Sequence, residues 1–151
     1  MSDNEEIWVG LQGPIPVNDA DTARRTAFAQ AGHTAQAATT IDELVALVVN
    51  HSDPLVRLQA IPRLRARFPE APETERALVA ASADEDAGVR QQAYSALADM
   101  PGGDARRALR VGLRDTSSKV RLIVAAALKD LGDSEAPPDP EAWAYDPLRR
   151  D

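Results

Sequence analysis

Three stretches of the chain place apolar residues at one helical spacing. In "DPLVRLQAIPRL" (53–64), "DAGVRQQAYSAL" (86–97) and "SSKVRLIVAAAL" (117–128), Val-Arg recurs at 56–57, 89–90 and 120–121, at intervals of 33 and 31 residues. Four residues after each valine stands Ala60, Ala93 or Val124, and eight after it Leu64, Leu97 or Leu128. Positions i, i+4 and i+8 share one helix face, so each stretch is predicted to be a helix with one buried stripe. Acidic turn residues precede each: Asp53, Asp84 to Asp86, and Asp115. Upstream of each turn lies another apolar helical segment, "IDELVALVVNH" (41–51), "ETERALVAASA" (73–83) or "DARRALRVGLR" (104–114). The unit is helix, short acidic turn, helix, three times over, and a period of about thirty residues is the mark of a solenoid.

The punctuation fits. "TIDE" (40–43) reads as a capping box with Thr40 at the N-cap and Glu43 at N3. "PEAPE" (69–73) and "MPGGD" (100–104) separate the units. Pro62 falls inside a helix and is expected to kink it, since its ring cannot bond the carbonyl of Leu58. Residues 19–31 read as one more helix, capped by Asn18 or Asp19, stopped by Gly32, and carrying a weak apolar face of Ala23, Ala27, Phe28 and Ala31. The flanks, "IWVGLQGPIPV" (7–17) and "EAPPDPEAWAYDPL" (135–148), contain prolines and read as extended, and they hold both tryptophans, Trp8 and Trp143. The division is an acidic tail over 1–18, a helical domain over 19–132 and an acidic Pro-rich tail over 133–151.

Composition narrows the chemistry. The 28 alanines and 4% aromatics suit closely packed helices. With no cysteine there is no disulfide, thiolate metal site or Cys nucleophile. No apolar run reaches membrane-spanning length, and the N-terminus is acidic where a signal peptide would be basic, so a cytoplasmic protein is expected. Residues 1–21 hold five acids and no base, 22–131 hold 13 acids and 15 bases, and 132–151 six acids and two bases. A net charge of −7 and a pI near 4.8 disfavour nucleic acid, which requires an excess of clustered cations.

The pattern DxxVRxxAxxxL resembles the HEAT-like repeats, in particular the short kind seen in phycobilisome lyase-type repeat proteins. The resemblance covers about residues 40–132. It implies an all-α fold, a short α-solenoid of about three HEAT-like helical hairpins with an N-terminal helix and extended acidic tails. It also implies scaffolding or binding rather than catalysis. Some relatives assist bilin attachment and some distant ones excise alkylated bases; the repeat motif carries neither role. Residues 65, 98 and 129 after the terminal leucines are Arg, Ala and Lys, where the family often has small residues.

Arg57, Arg90 and Arg121 each follow a core valine. The resemblance implies that they reach along the stack to acidic turns of neighbouring units, as structural residues. The competing reading is a row of cations for an acidic ligand. Arg106, Arg110 and Arg114 form a further stripe at i, i+4 and i+8, either a solvated surface or a docking strip for acidic partners or tails. Arg63 and Arg67 make a smaller cluster of the same kind. His51 is expected to oppose a helix dipole at a C-terminus, and no HExxH, P-loop or GxSxG pattern occurs.

The second helices of such units usually line the concave binding surface. Their non-core positions are Gln59, Arg63, Gln91, Gln92, Ser95, Asp99 and Lys119, a polar face suited to a peptide or protein loop. Trp143 and Tyr145 either cap the end of the core or present a tail motif. The expected function is a non-catalytic protein-interaction module, an adaptor, scaffold or regulatory binding protein, with no cofactor and no metal. The alternative is an enzyme or enzyme accessory holding a small molecule or prosthetic group in the groove. A nucleic-acid module ranks below both.

Overall fold

The computed structural model describes residues 19–100 and 102–146, and the fold is a short all-α solenoid. Its helices are α1 (Asp19–Ala37), α2 (Ile41–Asn50), α3 (Pro54–Arg67), α4 (Pro72–Ala81), α5 (Ala87–Ala98), α6 (Gly103–Gly112), α7 (Ser118–Asp130) and α8 (Pro140–Tyr145). They form two rows. Helices α2, α4 and α6 pack side by side, and α1, α3, α5, α7 and α8 make the second row. The pairs α2–α3, α4–α5 and α6–α7 join the rows.

The core lies between the rows. Val56, Ala60 and Leu64, Val89, Ala93 and Leu97, and Val120, Val124 and Leu128 are all buried. Leu44, Val48, Leu78 and Leu109 meet them from the first row. Each fully buried leucine contributes roughly 1.5–3 kcal/mol. Thr40 closes the capping box: its hydroxyl accepts from the Glu43 amide, and the Glu43 carboxylate accepts from the Thr39 and Thr40 amides. Those amide donors hold the Glu43 carboxyl below its ordinary pKa. Helix α3 runs unbroken through Pro62, whose ring is exposed.

Both ends differ from the sequence expectation. Helix α1 does not stop at Gly32 but continues to Ala37, and it buries Ala31 and Ala35 while Phe28 is 52% exposed. Packing on α3 through small residues overrides the glycine signal. The segment 133–146 is not extended. Asp139 caps α8 by accepting from the Ala142 amide, Pro140 opens it, and Ala144 is buried against the end of the stack. Trp143 packs on the core, and its indole N–H donates to the Leu113 carbonyl at 3.1 Å. The expected acidic N-terminal tail, with Trp8, lies outside the described residues. Among the described residues, no helix is long and apolar enough to cross a membrane.

Candidate binding groove

The turns between paired helices are built to one plan. In the second unit, Asp84 Oδ1 accepts from the Asp86 amide, and in the third, Asp115 Oδ1 accepts from the Ser117 amide. In the first, His51 takes that place, with Nδ1 accepting from the Asp53 amide at 3.0 Å. His51 thus closes the first turn.

The three repeat arginines staple these turns. The Nη1–H of Arg57 donates to the carbonyls of His51 and Ser52, acceptors left over at the C-terminal end of α2. Its Nε and Nη2 donate to the two carboxylate oxygens of Asp84, at 2.8 and 2.9 Å. Arg90 repeats this one unit on, with Nη1 on the carbonyls of Asp84 and Glu85 and a fork on Asp115 at 2.9 and 3.1 Å. Arg121 keeps the contacts to its own turn, the Asp115 and Thr116 carbonyls. Where the first two arginines fork onto a turn aspartate, Arg121 forks onto the Ala144 carbonyl at 3.1 and 2.7 Å. Helix α8 thus stands where a further unit would begin.

The electrostatics follow from this geometry. Burial alone would raise the Asp84 carboxyl, but the Arg57 hydrogen bonds, the Asp86 amide and the nearby guanidinium charges outweigh it and hold the group below its ordinary value. Asp133 is held down chiefly by Arg110, with help from the Glu135 amide, against the opposing effect of burial. The same hydrogen bonds hold the Arg57, Arg90 and Arg110 guanidiniums above their ordinary value, so both sides of these pairs stay charged, opposite to the raised pKa of a catalytic acid.

The cation stripe on α6 is divided in use. Arg110 forks onto Asp133 at 2.9–3.3 Å, and Arg106 stands 3.8 Å from the same carboxylate. Glu135 lies 3.6 Å from Arg110. The first acids after α7 therefore cover part of the stripe. Arg114 is exposed and forms no ion pair among the described residues.

Beside this stripe a groove of about 990 Å³ runs between α4 and α6, with Tyr94 at its floor. Val79 and Val111 line it and also line a smaller extension of about 340 Å³, where Arg76 and Arg107 stand. Val111 is 71% exposed. Burial raises the Tyr94 phenol above its ordinary value, opposed by the Ser82 hydroxyl. The carboxylates near the extension are already engaged: Glu75 accepts from the Ala105 amide, and Asp104 pairs with Arg107.

The polar positions of the second row are not a free continuous face. Gln59 donates to the Phe28 carbonyl at 2.7 Å and so ties α1 to α3. Asp99 accepts from Arg65 at 2.7 Å. Gln91 and Lys119 are exposed, while Arg63, Gln92 and Ser95 are half-buried. Tyr145 is 58% exposed, but its neighbours Trp143 and Ala144 are packed. Among the described residues, no three His, Asp or Glu side chains converge as a metal site. The groove at Val79 and Val111 was missed from sequence. Its signal was Val111 itself, an apolar residue two positions from both Leu109 and Leu113 and hence off their face.

Residues 74–148 match the family model of HEAT repeats. The match is to HEAT repeats as such and not to the phycobilisome lyase-type subgroup. It begins at the second unit and extends through α8, past the expected boundary at 132. No curated protein and no solved structure gives a significant match.

Proposed function

The chain belongs to the HEAT-like repeat proteins, and we propose that it is a non-catalytic protein-binding module, acting as an adaptor, scaffold or regulatory subunit. HEAT repeats are commonly protein-interaction modules. The observation that carries the reading is Val111, a valine 71% exposed on the wall of a 990 Å³ groove between two neighbouring repeats. A preformed groove lined by apolar side chains, here Val79 and Val111, with a few charged groups converging on it is the usual form of a binding site. The shifted carboxylates are engaged in holding the stack together, which weighs against the enzyme alternative. Arg63, Gln91, Gln92, Ser95 and Lys119 are a second contact surface in this reading, on the opposite row.

Affinity capture from a native lysate with the tagged full chain tests the proposal, with mass spectrometry of both proteins and small molecules. A protein partner retained by the wild type and lost by Val111→Asp is expected. Retention of a small molecule or prosthetic group with no protein would overturn it in favour of the enzyme or accessory reading.

A further inference from the structure

On the basis of that protein-binding reading, we infer that the α4–α6 groove takes an extended acidic segment of a partner protein, one apolar side chain flanked by carboxylates. Arg107 and Val111 stand at i and i+4 on α6, Arg114 follows in the turn that closes it, and all three line the groove. Seven residues of helix and closing turn separate Arg107 from Arg114, a span on the order of 10 Å at ~1.5 Å per residue. On α4, Arg76 and Val79 stand at i and i+3 and face the same extension of the groove. The site is an apolar strip with a guanidinium at each end.

Charge decides the partner class. This is an acidic chain, with net charge −7. Yet Arg76 and Arg114, the two arginines at the ends of the strip, form no ion pair among the described residues. Arg107 is paired only with the exposed Asp104, three residues before it. Such a surface pair is cheap to exchange for an incoming carboxylate. The chain already places acids on this stripe, since Asp133 and Glu135 occupy Arg106 and Arg110. The remaining cations fit the same chemistry. In an extended segment, side chains i, i+2 and i+4 share a face and i to i+4 spans about 13 Å, within reach of two long arginine side chains whose backbones are about 10 Å apart. The partner therefore offers two carboxylates at that spacing and an apolar side chain between them, seated against Val79 and Val111.

The test is fluorescence anisotropy with the full chain and a labelled peptide of about ten residues, rich in Glu and Asp with a central Leu. Binding is expected, weakened roughly tenfold by Arg114→Ala or by Val111→Asp, and weakened again as salt shortens the screening length to less than ~8 Å. Val111 and Arg114 are exposed, so circular dichroism of both variants is expected to match the wild type. Arg67→Ala, on the other row, leaves binding unchanged. Folded variants that bind as tightly as wild type would overturn the inference, and so would a peptide that does not bind at all. Should lysate capture still depend on Val111 while the peptide fails, the partner class is wrong and the protein-binding module stands.

Discussion

Arg57 and Asp84 join consecutive repeats across 27 residues of sequence, with both carboxylate oxygens held by one guanidinium at 2.8 and 2.9 Å. Their side chains are 7% and 10% exposed. Removing one partner leaves a buried charge uncompensated, which costs about 3–5 kcal/mol. Asp84→Ala is therefore expected to lower the unfolding free energy by roughly 3 kcal/mol in urea titrations. A loss below about 1 kcal/mol would place this pair with ordinary surface contacts.

The acid limb of stability follows from the same carboxylates. Asp84 and Asp133 have folded pKa values depressed below the ordinary 3.8. The unfolded chain then takes up protons at a higher pH than the folded one. Their stabilisation is complete above the ordinary value and is lost as pH falls through the lower folded values. The urea midpoint should lose this contribution only below about pH 4. Asp84→Asn should flatten that limb as well as lower the midpoint at neutral pH. An unchanged slope in the variant would remove Asp84 from the account.

The C-terminal strap is expected to be part of the folded unit. Trp143 supplies packing and a bond to the Leu113 carbonyl, and Arg121 forks onto Ala144. Trp143→Ala should cost roughly 2 kcal/mol, below the range for fully buried aromatics because Trp143 is half-buried. Removal of residues 135–151 should lower the melting temperature further. A truncated chain that melts with the wild type would instead mark 135–151 as a dispensable tail.

Gly112 tests the closeness of the two rows. A Cβ there would stand 2.8 Å from Tyr94 Cζ and 2.8 Å from Val124 Cγ2. Helix propensity alone favours alanine by about 1 kcal/mol. Overpacking of this kind costs about 1–3 kcal/mol and dominates. Gly112→Ala should lower stability, and a stabilised variant would show that α6 can move away from α5 and α7 at little cost.

The repeat arginines are legible because one spacing, that of the repeat, governs both the Val-Arg pairs and the turn aspartates Asp84 and Asp115 that receive them. The end of that row is not, since Arg121 bonds a main-chain carbonyl and a carbonyl has no sequence signature. Helix α8 was hidden by prolines read as extension, although Asp139 and Pro140 are a helix-start pair. At the other end, Gly32 read as a stop, and burial of Ala35 carried the helix through it. The groove as a whole has no signature within any one helix. What opens it is the spacing of two neighbouring first helices around Val111, a tertiary relation.

The central claim assigns the repeat arginines to the fold and the groove arginine to a partner. The direct test is one titration series of the acidic peptide into wild type, Arg57→Ala and Arg114→Ala, each with its melting curve. Arg57→Ala should melt roughly 6–12 °C lower, from about 3 kcal/mol lost, yet bind as the wild type does when kept folded. Arg114→Ala should melt with the wild type and bind roughly tenfold more weakly. An Arg57→Ala protein with unchanged melting and lost binding, or an Arg114→Ala protein with unchanged binding, would contradict it.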